Sequence, residues 1–338
     1  MTAIMAAQAA PAATPVLVSV VVPTCNRVHL LGRCVDALLD QTLPPGDYEI
    51  ILVDDAPGYH TRQLAAMWCA RAEARGLRMR YVPNHGARGP AAARNLGWRI
   101  ARGAIVAFTG DDTIPMPSWL SEALAVIDDR TDAVRGRIDM PVPARPTDYQ
   151  RDASRLQSSE FALANCFIRR SVLAALGGFD ERFRRRWRED SDLYFRLLDS
   201  GAAIVDAPRS LVIHPVRPAP WGVSLLQPRK IAFDALLYKK HPRRYREKIR
   251  ATPRWDYYAI VAALVLAVAG GQAGSPVVAA VGAAIWLCMT LWLCARRLQG
   301  TSRSPSHVAE MVLTSALIPP LAVFWRIAGA IRFRVRFA

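Results

Sequence analysis

Val16-Leu17-Val18-Ser19-Val20-Val21-Val22-Pro23 is a nearly unbroken apolar run closed by a proline, and it reads as a strand buried on both faces that feeds a loop. Leu30, Leu31, Val35, Leu38 and Leu39 then recur at helical spacing until Thr42-Leu43-Pro44-Pro45 stops them. Tyr48 to Val53 is a second buried strand, ending at Asp54-Asp55. This is a βαβ unit. A helix over 64–75, a strand over 79–82, a helix over 91–101 and a strand over 104–108 continue the alternation. The expected fold is therefore α/β, a doubly wound, mostly parallel sheet with helices on both faces. Ligands of such sheets sit beyond the carboxyl ends of the strands, where Asp54-Asp55 and Asp111-Asp112 fall.

Outward from this unit the pattern weakens. Residues 135–158 are broken by Pro, Asp and Arg and read as a long irregular excursion. Ser171 is expected to cap a short helix that stops at Gly177-Gly178, and Asp190 to Leu198 to form another with Phe195 and Leu198 facing inward. The sheet domain closes near Leu226, giving a domain over 16–226. Residues 1–15, rich in Ala and Pro, lack the charged start and apolar centre of a signal peptide and read as a disordered leader.

The net charge of +16 invites a nucleic-acid reading, so its placement matters. Residues 1–225 carry only +3, with 27 Arg against 24 Asp plus Glu, whereas residues 226–338 carry 17 basic and 4 acidic residues. No aromatic-interleaved basic stripe appears in the first half, which argues against nucleic acid. Basic residues flanking apolar stretches instead suit anionic lipid headgroups. The six cysteines include no C-x-x-C pair, so neither a zinc site nor a disulfide framework is suggested, and a reducing compartment is expected.

Residues 227–254 form a basic juxtamembrane segment that leads into Trp255, Tyr257 and Tyr258, an interfacial aromatic belt. Over 255–295 two apolar stretches flank Gly270-Gly271-Gln272-Ala273-Gly274-Ser275 and read as a transmembrane helical hairpin. Basic residues at both open ends place the large domain on the cytoplasmic face of the cell membrane. Residues 308–338 hold a third apolar stretch, interrupted by Glu310 and Pro319-Pro320 and followed by arginines. A full crossing would carry those arginines outside, so a re-entrant or interfacial segment is expected.

Several residues could carry chemistry. In Phe108-Thr109-Gly110-Asp111-Asp112-Thr113, a strand delivers carboxylates to its end; Asp112 suits a hard cation such as Mn²⁺ or Mg²⁺, although an acidic turn alone would look the same. Asp190, at a helix start, reads as a plain cap or as a base for an attacking hydroxyl. His214 ends an apolar run before Pro215, and it is a structural histidine or a further metal ligand. Gly86 and Gly89 lack the spacing of a dinucleotide fingerprint, which counts against a dehydrogenase.

In order, Val18 to Arg27, Val53-Asp54-Asp55, Ala93-Arg94-Asn95-Leu96-Gly97, Asp111-Asp112, Gly177-Gly178-Phe179-Asp180-Glu181 and Glu189-Asp190-Ser191-Asp192-Leu193 resemble the family 2 glycosyltransferases of the GT-A fold, over about residues 16–215. The resemblance implies that Pro23, Thr24, Arg27, Asp54 and Asp55 line the nucleotide pocket with Arg94 nearby, and that Asp111 belongs with them. It also implies that Asp112 binds the metal, with His214 a candidate partner, and that Asp190 is the catalytic base. The family's motif usually begins with Asp, where this chain has Gly110. The expected reaction is inverting transfer from a nucleotide-sugar, a UDP-sugar above all, to a lipid-linked or glycan acceptor among membrane lipids. The acceptor pocket is expected from residues 135–158 and Arg182 to Arg188. A polyprenyl-phosphate glycosyltransferase and a catalytically silent nucleotide-sugar-binding scaffold are the alternatives; a processive synthase would need Gln-x-x-Arg-Trp, which Gln227-Pro228-Arg229-Lys230 does not match.

Overall fold

The computed structural model describes residues 16–337; the leader expected over 1–15 lies outside them. β1 (Val18–Thr24), α1 (Val28–Leu39), β2 (Tyr48–Asp54), α2 (Tyr59–Glu73), β3 (Arg78–Pro83), α3 (Pro90–Arg99) and β4 (Ile105–Thr109) alternate as the apolar pattern requires. β3, β2, β1 and β4 lie side by side and parallel. Register sets Thr24 opposite Asp54 and Val21 opposite Phe108, so the carboxyl ends of β1, β2 and β4 share one edge.

The second half of the sheet is mixed. It comprises β5 (Ile114–Pro115), α4 (Trp119–Leu124), β6 (Ala133–Asp139), α5 (Asp148–Ser154), β7 (Asn165–Arg169), α6 (Arg170–Ala175), α7 (Glu189–Asp199) and β8 (Ile204–Ile213), in the order β3-β2-β1-β4-β7-β6-β8-β5. β7 runs antiparallel to both β4 and β6, and β8 runs parallel to β6. Leu31, Val35 and Leu38 of α1 and Trp119 of α4 fill one face of the sheet. Trp98 of α3, Leu173 of α6 and Leu193 and Leu197 of α7 fill the other. A Cβ on Gly97 would meet Val21 Cγ1 at 2.4 Å, so glycine is what lets α3 lie directly on β1.

Three local expectations need correction. Residues 135–158 are not wholly irregular, since β6 runs to Asp139 and α5 begins on a capping box. In that box Thr147 Oγ1 accepts from Gln150 N at 3.2 Å and Gln150 Oε1 accepts from Thr147 N at 2.8 Å. The charged side chains of β6 hid its pattern, and α5 buries none of its residues, leaving no apolar stripe to read. Ser171 lies inside α6, whose cap is Arg169. In α7 the inward residues are Leu193, Phe195 and Leu197, with Leu198 half-buried.

The C-terminal third forms α8 (Ala232–Lys240), α9 (Pro242–Arg244), α10 (Trp255–Gln272), α11 (Pro276–Leu298) and α12 (Pro305–Phe333). Residues 227–254, expected as a juxtamembrane segment, pack into the α/β domain: Phe233, Leu237 and Tyr245 share a core with Phe183, Phe195 and Phe337. α10 and α11 make the expected hairpin. With α12, they are the three described helices long and apolar enough to cross a membrane, by length and composition.

α12 is one continuous 29-residue helix through Pro319 and Pro320. Near its start Glu310 Oε1 accepts from Gly222 N at 2.7 Å and Trp221 Nε1 donates to Ser306 O at 3.2 Å. At its end Lys239 Nζ donates to Phe333 O at 2.8 Å, and a Cβ on Gly329 would lie 2.5 Å from the Ala232 carbonyl oxygen. Both ends therefore rest on the same α/β domain. His307, Met311, Ala322 and Gly329 are buried on one side of the helix, and Leu313, Leu317, Phe324, Ile327 and Ile331 are exposed on the other.

Candidate active site

β4 ends at Thr109, and the turn after it buries two carboxylates with different surroundings. Asp111 accepts from Thr24 Oγ1 at 3.0 Å, and from Arg27 and Arg186 guanidinium nitrogens at 3.2 Å each. It is fully buried, so it acts on the cleft through the side chains it holds. Asp112 meets Arg217 at 3.2 Å, Arg27 and Arg186 at 3.8 Å each, and His214 Nε2 at 3.6 Å. Burial alone would raise its carboxyl; His214 and the guanidiniums of Arg186, Arg217 and Arg27 outweigh that and hold it below the usual carboxylate range.

The residues present suit a divalent cation. Asp112 Oδ2 is buried without a hydrogen bond despite its ion pairs, and His214 Nδ1 is likewise without one. No group of three or more candidate ligands gathers among the described residues. The fit is thus to an ion held by one carboxylate and one imidazole, with substrate phosphate oxygens completing its shell. Gly110 belongs to the same arrangement, because a Cβ there would meet Asp112 Oδ1 at 2.6 Å. Asp112 occupies the space a side chain at 110 would need.

A cleft of about 1090 Å³ opens beside these residues. Pro23, Thr24, Arg27 and Asp55 line it, together with Gly89 at the start of α3. Asp55 accepts from Gly89 N at 2.9 Å and from Asn84 Nδ2 at 2.8 Å, which fixes the loop before α3. Gly89 has φ of +130°, and its Cα faces the Arg184 backbone at a distance that leaves a Cβ only 3.1 Å, so glycine fits both demands. Asp54 stands apart from the cleft wall, fully buried, accepting from Ala56 N at 3.1 Å and Tyr81 Oη at 2.9 Å.

Arg94 is also buried, ion-paired to Glu189 at 3.1 Å, and it acts on the N-terminal turn of α7. Burial pushes the Glu189 carboxyl up to about 7, against the pull of Arg94 and with the charge of Asp190 adding to it. Asp190 itself is half-buried at the start of α7 and accepts from Ser191 N at 2.6 Å and Ser191 Oγ at 3.2 Å, both on Oδ1. Asp192 is fully buried and bound to Arg196, Lys240 and His241, which removes it as a substitute base. Asp234 of α8 holds the preceding loop: it accepts from Trp187 Nε1 at 2.8 Å and Arg188 Nε at 2.7 Å. Arg188, with φ of +74°, enters α7 directly.

Sequence reasoning placed Arg182 to Arg188 near an acceptor but did not single out Arg186 as a partner of Asp111 and Asp112, nor Arg217, Lys230 and Arg332 as cleft residues. The run Arg182 to Arg188 was a signal for the first. Nothing local marks the other three, because long-range packing brings them in.

A family model described as Glycosyl transferase family 2 matches residues 19–183. Glycosyltransferase AglE of Haloferax volcanii is 26% identical over 213 residues, 60% of this chain and 67% of that protein. Validoxylamine A glucosyltransferase of Streptomyces hygroscopicus subsp. limoneus is 36% identical over 111 residues, 32% of this chain and 23% of that protein. Among solved structures, mannosyltransferase PcManGT from Pyrobaculum calidifontis, in complex with GDP-Man and Mn²⁺, aligns at a TM-score of 0.55 and 20% identity, covering 96% of this chain and 89% of that one. The shared fold is GT-A, with the C-terminal apolar helices added to it.

Proposed function

We propose that this chain, which belongs to glycosyl transferase family 2, is an inverting, metal-dependent enzyme that moves a sugar from a nucleotide-sugar to a lipid-linked or glycan acceptor at the cytoplasmic membrane face. The observation that carries the reading is Asp112 beside the cleft: its Oδ2 is buried without a hydrogen bond, its Oδ1 lies 3.6 Å from His214 Nε2, and the cleft-lining arginines reach it. Mn²⁺ or Mg²⁺ bound there would supply positive charge to the leaving diphosphate. The solved relative in complex with GDP-Man and Mn²⁺ is in keeping with that chemistry.

Arg27, Arg186 and Arg217 line the cleft, converge on Asp112 and would hold the donor phosphates. Asp55 is the carboxylate at the cleft wall that would meet the imide N–H of uracil, which favours a UDP-sugar. In the transfer the bond from the anomeric carbon to the phosphate oxygen breaks as the bond to the acceptor oxygen forms on the opposite face. The acceptor's proton passes to Asp190, and the nucleoside diphosphate leaves. Arg94, Glu189 and Asp234 position Asp190 by fixing both sides of the turn that presents it.

The hairpin α10–α11 would cross the bilayer and return, keeping the α/β domain on one side. At ~1.5 Å per residue α12 is long enough to cross a hydrocarbon layer of ~30 Å, yet both its ends rest on that domain. It would therefore lie along the interface with its exposed apolar side in lipid.

Paired substitutions on purified full-length protein test the reading. Asp112→Asn should remove most metal-dependent UDP binding, whereas Asp190→Asn should keep UDP binding and lower transfer by roughly a hundredfold or more. Wild-type transfer rates in the Asp190→Asn protein, or full activity in excess chelator, would overturn it.

A further inference from the structure

The cations of the cleft fall into two groups. Arg27, Arg186 and Arg217 are matched to Asp111 and Asp112, and Arg182 to Asp180. Arg88, Arg184, Arg185, Lys230 and Arg332 line the same cleft, and none of them has a carboxylate within ion-pair distance among the described residues. Lys230 is held below the usual lysine range by burial, which outweighs the pull of the more distant Asp152 and Glu189, with Arg217 and Arg185 adding repulsion. Unmatched cations facing one another around a cavity favour a bound anion.

Their position says what carries that anion. Arg332 belongs to the last turn of α12, where Ile331 is exposed and Phe333 enters the cleft wall. Phe324, Ile327 and Ile331 form an exposed apolar stripe at helical spacing that runs up to this cationic rim. A ligand that satisfies both features has an ionised head and an apolar chain.

We propose that Arg184, Arg185, Lys230 and Arg332 form a second anion site, which binds the phosphate of a lipid-phosphate-linked sugar acceptor while its chain follows the α12 stripe. This rests on the transferase reading above and narrows its acceptor. The role of Asp190 fits: a sugar hydroxyl must lose a proton to attack, whereas an ionised lipid phosphate would need no base. Phosphate and hydroxyl are thus different parts of one acceptor, the first anchoring and the second reacting.

The test is binding to purified full-length protein saturated with UDP and Mn²⁺, using farnesyl phosphate, farnesol, glycerol phosphate and inorganic phosphate as probes. Farnesyl phosphate should bind well above the other three. Lys230→Gln combined with Arg332→Gln should weaken it by roughly tenfold or more, the scale of charge-assisted contacts, with UDP affinity within about threefold of wild type. Lys230→Glu alone should weaken it further still. Equal binding of farnesol overturns the anion site, and equal binding of glycerol phosphate or inorganic phosphate overturns the lipid assignment. A parallel loss of UDP binding in the variants would return these cations to the donor site. If wild type binds UDP but not farnesyl phosphate, this inference fails alone; if it does not bind UDP, the transferase reading fails first.

Discussion

Gly110→Ala should weaken metal-dependent donor binding while leaving the fold intact. The added Cβ would lie 2.6 Å from Asp112 Oδ1, where ordinary contact begins at 3.4 Å, so the oxygen must move by about 0.8 Å. Gly110 is not among the residues with positive φ, so alanine meets no backbone strain there, and its narrower unfolded ensemble offsets part of any packing cost. The displaced atom belongs to the one carboxylate assigned to the cation, and such sites tolerate only ~0.5 Å of misplacement. A shift of that order costs about ten- to a hundredfold in function. Calorimetric titration of UDP at varied Mn²⁺, beside a thermal melt of the same detergent-solubilised protein, separates the two effects. Half-saturating Mn²⁺ should rise roughly tenfold or more with the melting midpoint unchanged. Gly110→Asp should be no better, because the added carboxylate needs the space Asp112 already fills. A Gly110→Ala protein with wild-type metal dependence would refute the steric link between 110 and 112.

His214→Ala should likewise raise half-saturating Mn²⁺ by roughly tenfold or more, read in the same titration; an unchanged value would make the histidine structural. Glu189 gives a pH signature: its carboxyl stands at about 7 in the fold against the usual 4.5, so the folded state holds a proton that the unfolded state has lost between those values. The stability this group contributes is therefore full below about 4.5 and is lost, by about 3 kcal/mol, as pH rises through 7, and Glu189→Gln should flatten that slope in melts across pH 5 to 8. For topology, single cysteines introduced at Gln272 and Gln299 in a cysteine-free background should label from outside intact cells at 272 only. Labelling at 299 would reverse the hairpin.

The parallel half of the sheet and the order of motifs were legible in the sequence because both follow from short-range pattern. An apolar run closed by Pro23 or by Asp54-Asp55 has few other readings in a chain that alternates strands and helices. β6 and α5 were missed for a physical reason. One carries charged side chains at exposed positions, and the other is held by its capping box with no buried residue. Within the site, Asp112, His214 and Asp55 were readable as polar residues at strand ends, and the structure puts them at the expected edge. The partners of Asp111 and Arg94 were not, since Arg186 and Glu189 lie 75 and 95 residues along the chain from them.

The basic C-terminal third shows how one composition can serve two environments. Read by position along the chain, its positive charge looks like a belt facing lipid headgroups. Folded, Lys240 reaches Asp180 and Asp192, Arg244 reaches Asp199, and Lys248 reaches Glu160, each a contact that ties this segment to the α/β domain. Lys230 and Arg332 face the cleft itself. The same segment therefore stiffens the loop before Asp190 through Asp234, walls the cavity, and leads on to the apolar helices. A catalytic domain tied in this way to its membrane helices cannot swing freely on a linker. On the proposed topology its cleft would stand at a fixed height above the bilayer, where an acceptor anchored in lipid would meet it.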